Sequence, residues 1–217
     1  PWLSQQGTKI IANVAGNAPE DYCATAEKLN DTCVDMVELN ISCPNVKQGG
    51  VQFGTTTEGV YGITSEVRKH CKKPLMVKLS PNVTDISEMA VAAECAGADA
   101  VSLINTLTGM RIDIHTRRPI IRNNTGGFSG PALLPIAVRM VWQVAQKVKI
   151  PIVGLGGIST WQDAVEMLLA GATALQIGTV LFTDPYAPIK IAEGLSKYMD
   201  ENGIQSLSEL TGGVKPW

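Results

Sequence analysis

The 217-residue sequence lacks the features that mark several large classes of protein. No apolar stretch approaches the roughly 18 residues that a membrane-spanning helix needs. No basic run is present, and the formal net charge of −2 argues against a surface for nucleic acid or anionic lipid. The first residues, PWLSQQGTKI, have neither the charged nor the apolar segment of a signal peptide. The missing initiator Met indicates cutting or processing upstream.

Metal-binding and hydrolase signatures are also missing. The two histidines, His70 and His115, stand far apart in sequence and are expected at the surface. The five cysteines include no C-x-x-C pair, which argues against a zinc site and against iron–sulfur ligation by this chain. They are Cys23, Cys33, Cys43, Cys71 and Cys95. Scattered thiols of odd number predict reduced cysteines in a cytoplasmic protein.

Short apolar runs alternate with segments of helical periodicity, which predicts six βα units. The predicted strands are Ile10–Val14, Asp35–Ile41, Pro74–Leu79, Ala100–Asn105, Pro151–Leu155 and Ala174–Ile177. The predicted helices are Pro19–Asn30, Thr57–Cys71, Ile86–Ala96, Leu133–Lys147, Trp161–Ala170 and Pro188–Met199. A long irregular segment after Asn105 reaches Gly130. Continuous apolar strands with helical crossovers predict a parallel sheet covered by helices, in one domain over residues 1–217.

The position of the glycines separates two α/β folds. A doubly wound sheet carries G-x-G-x-x-G after its first strand, and ANVAGNA does not match. Glycines instead follow the last two strands, which is where a (β/α)8 TIM barrel binds phosphate. A whole barrel typically needs about 250 residues. We therefore expect a TIM barrel that lacks its first two βα units.

Polar residues at the strand ends are the first candidates for a site, because strand ends form the mouth of a barrel. Asn13, Asn40, Asn105 and Thr106 offer donors and acceptors that suit a planar heterocycle. A single asparagine at such a place more often bonds to loop backbone. Lys78 interrupts an apolar strand, so we expect it to face an anion or an electron-rich cofactor. Alternatively, the Lys78 side chain extends to solvent at the barrel mouth.

The glycine pairs and Cys43 complete the candidate site. Gly156-Gly157 and Gly178-Thr179 can expose backbone N–H groups to a phosphate, although turns alone also use glycine. Cys43 lies in ELNISCPNVKQGGVQFG, where a strand gives way to a glycine-rich loop that we expect to move. It could act as nucleophile or proton acceptor, or be a core sulfur near the surface. The other four cysteines are interpreted as packing residues.

These motifs resemble one known family. ELNISCPNVKQGGVQFG, VKLSPNV, INTLTGMRIDI, NNTGGFSGPA, GLGGISTWQDAVEMLLAGA and QIGT are similar to the class 1 dihydroorotate dehydrogenases, and most of all to the NAD-linked, B-type catalytic subunits. The resemblance runs in order from about Ile10 to the C-terminus. It implies an FMN-binding barrel that oxidises (S)-dihydroorotate to orotate in pyrimidine biosynthesis.

The resemblance also implies roles for particular residues and partners. Cys43 would take the C5 proton of the substrate while hydride leaves C6 for the flavin. Residues matching flavin contacts are Asn13, Asn40, Lys78, Ile104, Gly130, Gly156, Gly157, Gly178 and Thr179; those matching substrate contacts are Asn40, Asn105 and Thr106. Electrons would pass to NAD through a partner subunit that carries FAD and a [2Fe–2S] cluster. A homodimer of this chain is expected, with no nucleic-acid or membrane partner.

The sequence departs from the family in two places. The first two βα units are absent, and Arg117-Arg118 stand where relatives often have a glycine-containing turn. Three other functions stay open at this point. The chain could be a flavin barrel for another dihydropyrimidine such as dihydrouracil, a non-catalytic remnant that binds no flavin, or a phosphosugar barrel.

Overall fold

The computed structural model describes residues 2–42 and 53–217. Its strands in chain order are β1 (Ile11–Val14), β2 (Met36–Asn40), β3 (Leu75–Lys78), β4 (Ala100–Leu103), β5 (Leu107–Gly109), β6 (Ile112–Asp113), β7 (Arg118–Pro119), β8 (Gly126–Phe128), β9 (Ile152–Leu155) and β10 (Ala174–Gln176). Its α-helices are α1 (Pro19–Leu29), α2 (Thr57–His70), α3 (Ile86–Cys95), α4 (Leu134–Ala145), α5 (Trp161–Ala170) and α6 (Ala187–Glu201). All six predicted βα units are confirmed, with ends shifted by a few residues.

The main sheet decides between the two α/β folds. Within the described ranges six parallel strands pair in the order β1-β2-β3-β4-β9-β10, which is also their order along the chain. A doubly wound sheet would reverse its strand order at a switch point, whereas a barrel never does. The six βα units therefore form a partial (β/α)8 barrel, as predicted, with β1 and β10 at the two edges of the described sheet.

The core lies between the sheet and its helices. Val37, Leu75 and Val101 on three neighbouring strands are fully buried, and so are Val60 and Ala90 on the helices that cover them. Each helix packs against the next one along the chain, as in the outer ring of a barrel. The strand ends are thus held on a rigid two-layer scaffold.

Local sequence explains where helix α5 begins and ends. Thr160 is its N-cap: the Thr160 hydroxyl accepts a hydrogen bond from the Asp163 N–H at 3.3 Å, and the Asp163 carboxylate accepts one from the Thr160 N–H at 2.8 Å. This capping box satisfies N–H groups that the first turn would leave free. Gly171, at φ +125°, ends the helix with a conformation that other residues rarely adopt. The predicted boundaries of this helix, Trp161 and Ala170, are confirmed.

The segment between β4 and α4 is more ordered than predicted. Two antiparallel ribbons, β5 with β8 and β6 with β7, replace the expected irregular stretch. Arg117 turns the second ribbon with φ +57°, and Asp113 Oδ1 accepts a hydrogen bond from the His115 N–H at 2.9 Å. The unusual arginine pair therefore stands at a left-handed turn, a place that favours glycine.

The interpretation of the cysteines as packing residues is half right. Cys23 and Cys71 are buried, but Cys33 and Cys95 are exposed. Cys33 lies in a turn rather than a helix or strand, and Cys95 is the last residue of α3 with its side chain turned from the core. Among the described residues, no helix is both long and apolar enough to cross a membrane.

Candidate active site

Three predicted asparagines meet at the carboxyl ends of the first, second and fourth strands. Asn40 Nδ2 donates a hydrogen bond to Asn13 Oδ1 at 3.3 Å. Asn105 Nδ2 donates one to Asn40 Oδ1 at 3.4 Å. Parallel strands bring their carboxyl ends to one rim of the barrel. Asn13 and Asn105, which are 92 positions apart along the chain, are therefore joined through Asn40 in a single line of hydrogen bonds.

The end of this line is fixed by backbone and by a buried serine. Asn105 Oδ1 accepts a hydrogen bond from the Thr106 N–H at 2.8 Å. Asn105 Nδ2 also donates to Ser42 Oγ at 2.6 Å, and Ser42 is only 2% exposed. Asn82, which the sequence did not single out, donates to the Thr106 carbonyl at 3.0 Å and accepts from the Thr108 N–H. The Asn105-Thr106 pair is therefore held in place before any ligand binds.

A cavity adjoins the asparagines and contains most of the predicted cofactor residues. The predicted residues that line it are Lys78, Ile104, Asn105, Thr106, Gly130, Gly156, Gly157, Gly178 and Thr179. Asn13 and Asn40 lie beside it, in contact with Asn105 through the hydrogen bonds above. Lys78 is half-buried, and within residues 2–42 and 53–217 no carboxylate lies within ion-pair distance of its ammonium. An anionic or electron-rich ligand would compensate this charge.

Two kinds of glycine line the cavity. Gly157 has φ +82°, and a Cβ there would lie 2.5 Å from the Leu134 nitrogen, so the turn after β9 itself requires glycine. Gly178 has φ −127°, outside the left-handed region, and a Cβ there would meet no atom within 4 Å. The space beside Gly178 is therefore open to a bound group.

A buried carboxylate under the site was not predicted. Glu38 is 4% exposed, and its side chain lies on the same face of β2 as that of Asn40, two residues later. Its carboxylate accepts hydrogen bonds from Ser102 Oγ at 2.7 Å, from Gln176 Nε2 at 2.8 Å and from Asn13 Nδ2. The signal in the sequence is a single acidic residue between apolar residues of the strand MVELN, because a buried acid must find polar partners.

Two further features lie apart from the cavity or outside the described residues. The predicted catalytic residue Cys43 lies outside the described residues and directly follows Ser42 in sequence. On the helical layer, the possible ligand atoms of Cys23, Glu66 and His70 lie within 4.8 Å of one another. His70, expected to stand alone, therefore has a carboxylate neighbour, with its Nε2 3.9 Å from Glu66 Oε1. Glu66 is already paired with Lys69 at 2.6 Å.

Comparison with known proteins decides the family. The family model described as dihydroorotate dehydrogenase matches residues 2–199. The chain belongs to the dihydroorotate dehydrogenase family. A curated relative from Bacteroides fragilis, named the catalytic subunit of dihydroorotate dehydrogenase B (NAD(+)), is 56% identical over 216 residues, which cover 99% of this chain and 71% of the relative. A relative of the same name from Geotalea uraniireducens is 57% identical over 215 residues, covering 99% of this chain and 70% of the relative.

A solved dihydroorotate dehydrogenase shares the fold. The crystal structure of the Eimeria tenella enzyme in complex with ferulenol superimposes with a TM-score of 0.75 at 21% sequence identity. The superposition covers 92% of this chain and 58% of the Eimeria chain. This chain thus spans little more than half of that enzyme and about seven-tenths of the curated relatives.

The cavity suits the flavin on which the dihydroorotate dehydrogenase family depends. The turn at Gly156-Gly157 follows the carboxyl end of β9, and the space beside Gly178 lies at the carboxyl end of β10. Barrels bind phosphate at these two strand ends. Backbone N–H groups at such turns bind phosphate oxygens without a charged side chain. Lys78 also lines the cavity and carries a positive charge.

Proposed function

We propose that this chain is the FMN-binding catalytic part of an NAD-linked dihydroorotate dehydrogenase, which oxidises (S)-dihydroorotate to orotate in pyrimidine biosynthesis. The observation that carries the proposal is one cavity lined by Lys78, by the fixed Asn105-Thr106 pair and by the glycine turns after the last two strands. The curated relatives named as dihydroorotate dehydrogenase B catalytic subunits support the choice of substrate and of NAD.

The cofactor would be held by backbone at one end and by a cation at the other. Gly156, Gly157, Gly178 and Thr179 would bind the phosphate through N–H groups, with Ile104 and Gly130 as further contacts along the cavity wall. When bound, FMN supplies a two-electron acceptor for the hydride of the substrate. Lys78 would stabilise the negative charge that accumulates on reduction, because an ammonium in a partly buried site is screened weakly.

The asparagines would bind the substrate. Orotate presents carboxylate, carbonyl and N–H groups around one ring, so its site needs both donors and acceptors. Asn40, Asn105 and Thr106 provide them. The hydrogen bonds to Ser42 and to the Thr106 N–H hold the Asn105 amide in one orientation. Its side chain therefore loses less conformational entropy when the substrate binds.

Cys43 would be the base of the reaction. As a thiolate it would take the proton from C5 of dihydroorotate while hydride leaves C6, so the ring gains its double bond and Cys43 becomes a thiol, which releases the proton to solvent before the next turnover. Ser42, the residue before Cys43, is buried and accepts a hydrogen bond from Asn105, which supports this role. A cysteine serves here because its pKa lies closer to neutrality than that of a serine hydroxyl.

The electron acceptor and the assembly belong to the same proposal. A partner subunit carrying FAD and a [2Fe–2S] cluster would pass electrons to NAD, and the name "catalytic subunit" of the relatives supports such a partner. Two copies of this chain would form a homodimer.

Anaerobic reduction with a panel of substrates tests the proposal. The purified chain is reconstituted with FMN, and its flavin absorbance is followed after adding dihydroorotate or, separately, dihydrouracil. We expect dihydroorotate to bleach the flavin and dihydrouracil to leave it oxidised. Bleaching by dihydrouracil alone would assign the chain to another dihydropyrimidine, and a protein that binds no FMN would contradict the proposal altogether.

A further inference from the structure

Glu38 stands at one end of a directed line of hydrogen bonds. The Thr106 N–H donates to Asn105 Oδ1, and Asn105 Nδ2 donates to Asn40 Oδ1. Asn40 Nδ2 then donates to Asn13 Oδ1, and Asn13 Nδ2 donates to Glu38 Oε2. Every amide in the line has its nitrogen toward Glu38 and its oxygen toward Thr106.

The chemistry of the two ends sets this direction together with Ser42, whose N–H and hydroxyl donate to Asn40 Oδ1 at 3.3 and 3.2 Å. A backbone N–H can only donate, and all three groups that face the Glu38 carboxylate are donors, so the carboxylate acts only as acceptor. A reversed Asn13 would turn its own oxygen toward this carboxylate, and a reversed Asn40 would turn its oxygen toward Asn13 Oδ1 and its NH2 group toward the donors on Asn105 and Ser42. Because Glu38 is 4% exposed, water cannot easily repair such a mismatch.

The same carboxylate also orients a residue of the cavity wall. Gln176 Nε2 donates to Glu38 Oε1, which leaves the carbonyl oxygen of Gln176 as the group available to a ligand in the cavity. One buried acid thus orients amides on both sides, toward the asparagine line and toward the cavity.

We propose that Glu38 is a positioning residue, which sets the orientation of the Asn13 and Gln176 amides directly, supports that of Asn40 through Asn13, and thereby preorganises the substrate and flavin subsites. This inference rests on the function proposed above for those subsites. Glu38 touches neither ligand in the proposal and acts only through the amides that it orients.

The isosteric variant Glu38→Gln removes one acceptor and adds two donors at the same volume. Its single carbonyl cannot serve both amides, so either Asn13 or Gln176 must reverse. We expect the folded variant to bind orotate or FMN at least about tenfold more weakly, since one buried polar group is left mismatched. Ser102→Ala is the matched control: it removes a donor but leaves the carboxylate and both amides, so we expect a change of about threefold or less.

A second variant restores the direction of the hydrogen-bond line by moving the negative charge from position 38 on β2 to position 13 on β1. When Glu38→Gln is combined with Asn13→Asp, the amide nitrogen of the introduced glutamine donates to the introduced aspartate, and its carbonyl accepts from Ser102 and Gln176. The second oxygen of the aspartate still accepts from Asn40. We expect orotate affinity to recover to within a few-fold of the parent, and the double variant serves equally if the single one fails to fold. A double variant that folds but binds orotate as weakly as the Glu38→Gln variant, or more weakly, would overturn the inference.

Flavin-free protein gives a readout that does not depend on activity. Side-chain hydrogen exchange of 15N-labelled Asn and Gln in the unliganded chain reports whether the NH2 groups of Asn13 and Gln176 are held. We expect Glu38→Gln to accelerate exchange at one of them by about tenfold or more. Unchanged exchange with unchanged ligand affinity overturns the positioning role. If the parent chain binds no flavin, the proposed function fails, and the exchange result alone still decides whether Glu38 orients the amides.

Discussion

Asn105 Nδ2 donates a hydrogen bond to Ser42 Oγ at 2.6 Å, which joins the end of β4 to the residue that precedes Cys43. Ser42 is 2% exposed, so its hydroxyl is a structural part of the rim. Ser42→Ala leaves the Asn105 Nδ2 group with only the longer bond to Asn40. We expect orotate to bind about tenfold more weakly, because a half-buried amide loses a short hydrogen bond.

Titration of orotate against the flavin spectrum measures this effect. Ser65→Ala is the control, because Ser65 lies on α2, where its hydroxyl only donates to the Gly62 carbonyl. We expect that variant to bind orotate like the parent. Equal orotate affinities for Ser42→Ala and Ser65→Ala would remove Ser42 from the substrate subsite.

Gly157→Ala tests the phosphate end of the cavity. The variant strains a residue at φ +82° and drives a methyl group to 2.5 Å from the Leu134 nitrogen. Gly203→Ala is matched in backbone conformation at φ +68°, but its methyl group meets no atom within 4 Å. Both substitutions cost about 1–2 kcal/mol of strain. We expect only Gly157→Ala to lose FMN affinity in fluorescence titrations; retention of parental affinity would place the phosphate elsewhere.

Lys78→Gln tests the cation at the flavin. Without the ammonium, the charge gained on reduction is stabilised less, so we expect a lower flavin midpoint potential and about tenfold slower reduction by dihydroorotate. Lys72→Gln is the control, since Lys72 is exposed and precedes the N-terminal end of β3, whereas Lys78 lies at its carboxyl end. Spectroscopic redox titration of both variants measures the potential. A Lys78→Gln potential equal to that of the Lys72→Gln control contradicts the assignment.

The fold could be predicted from sequence because its signals are local. Each strand is a short apolar run, and a helix such as α5 carries its own caps in Thr160, Asp163 and Gly171. The order of the βα units then follows the chain in a barrel, so no long-range information was needed. The ribbons β5–β8 were missed because their strands are two or three residues long and rich in glycine and polar residues.

The site was predictable only where a residue is unusual for its element. Lys78 and the strand-end asparagines stand out in apolar runs. Ser102 and Gln176 do not, since a serine or glutamine in a strand is unremarkable until Glu38 is known to be buried between them. Asn82 became visible only through its bonds to the Thr106 carbonyl and the Thr108 N–H, which belong to another βα unit.

Two cysteines should differ in reactivity toward alkylating reagents. A hydrogen bond with Ser4 lowers the pKa of the exposed Cys33, whereas burial raises the pKa of Cys23. Because the thiolate is the reacting form, we expect Cys33 to be alkylated first and at lower pH. Peptide mass spectrometry after brief treatment of the native protein measures the order. Equal labelling of Cys23 and Cys33 at every pH would contradict this difference.

The most direct test of the central claim is anaerobic stopped-flow reduction of the FMN-reconstituted protein by dihydroorotate, for the parent and for Cys43→Ser. Cys33→Ser is the control, because that thiol is exposed in a turn away from the strand ends. We expect rapid bleaching in the parent and in Cys33→Ser. We also expect bleaching at least about a hundredfold slower at neutral pH in Cys43→Ser, with FMN still bound, because a general base contributes about that much or more. Equal rates in all three proteins, or an FMN-bound parent that dihydroorotate does not reduce, would contradict that claim.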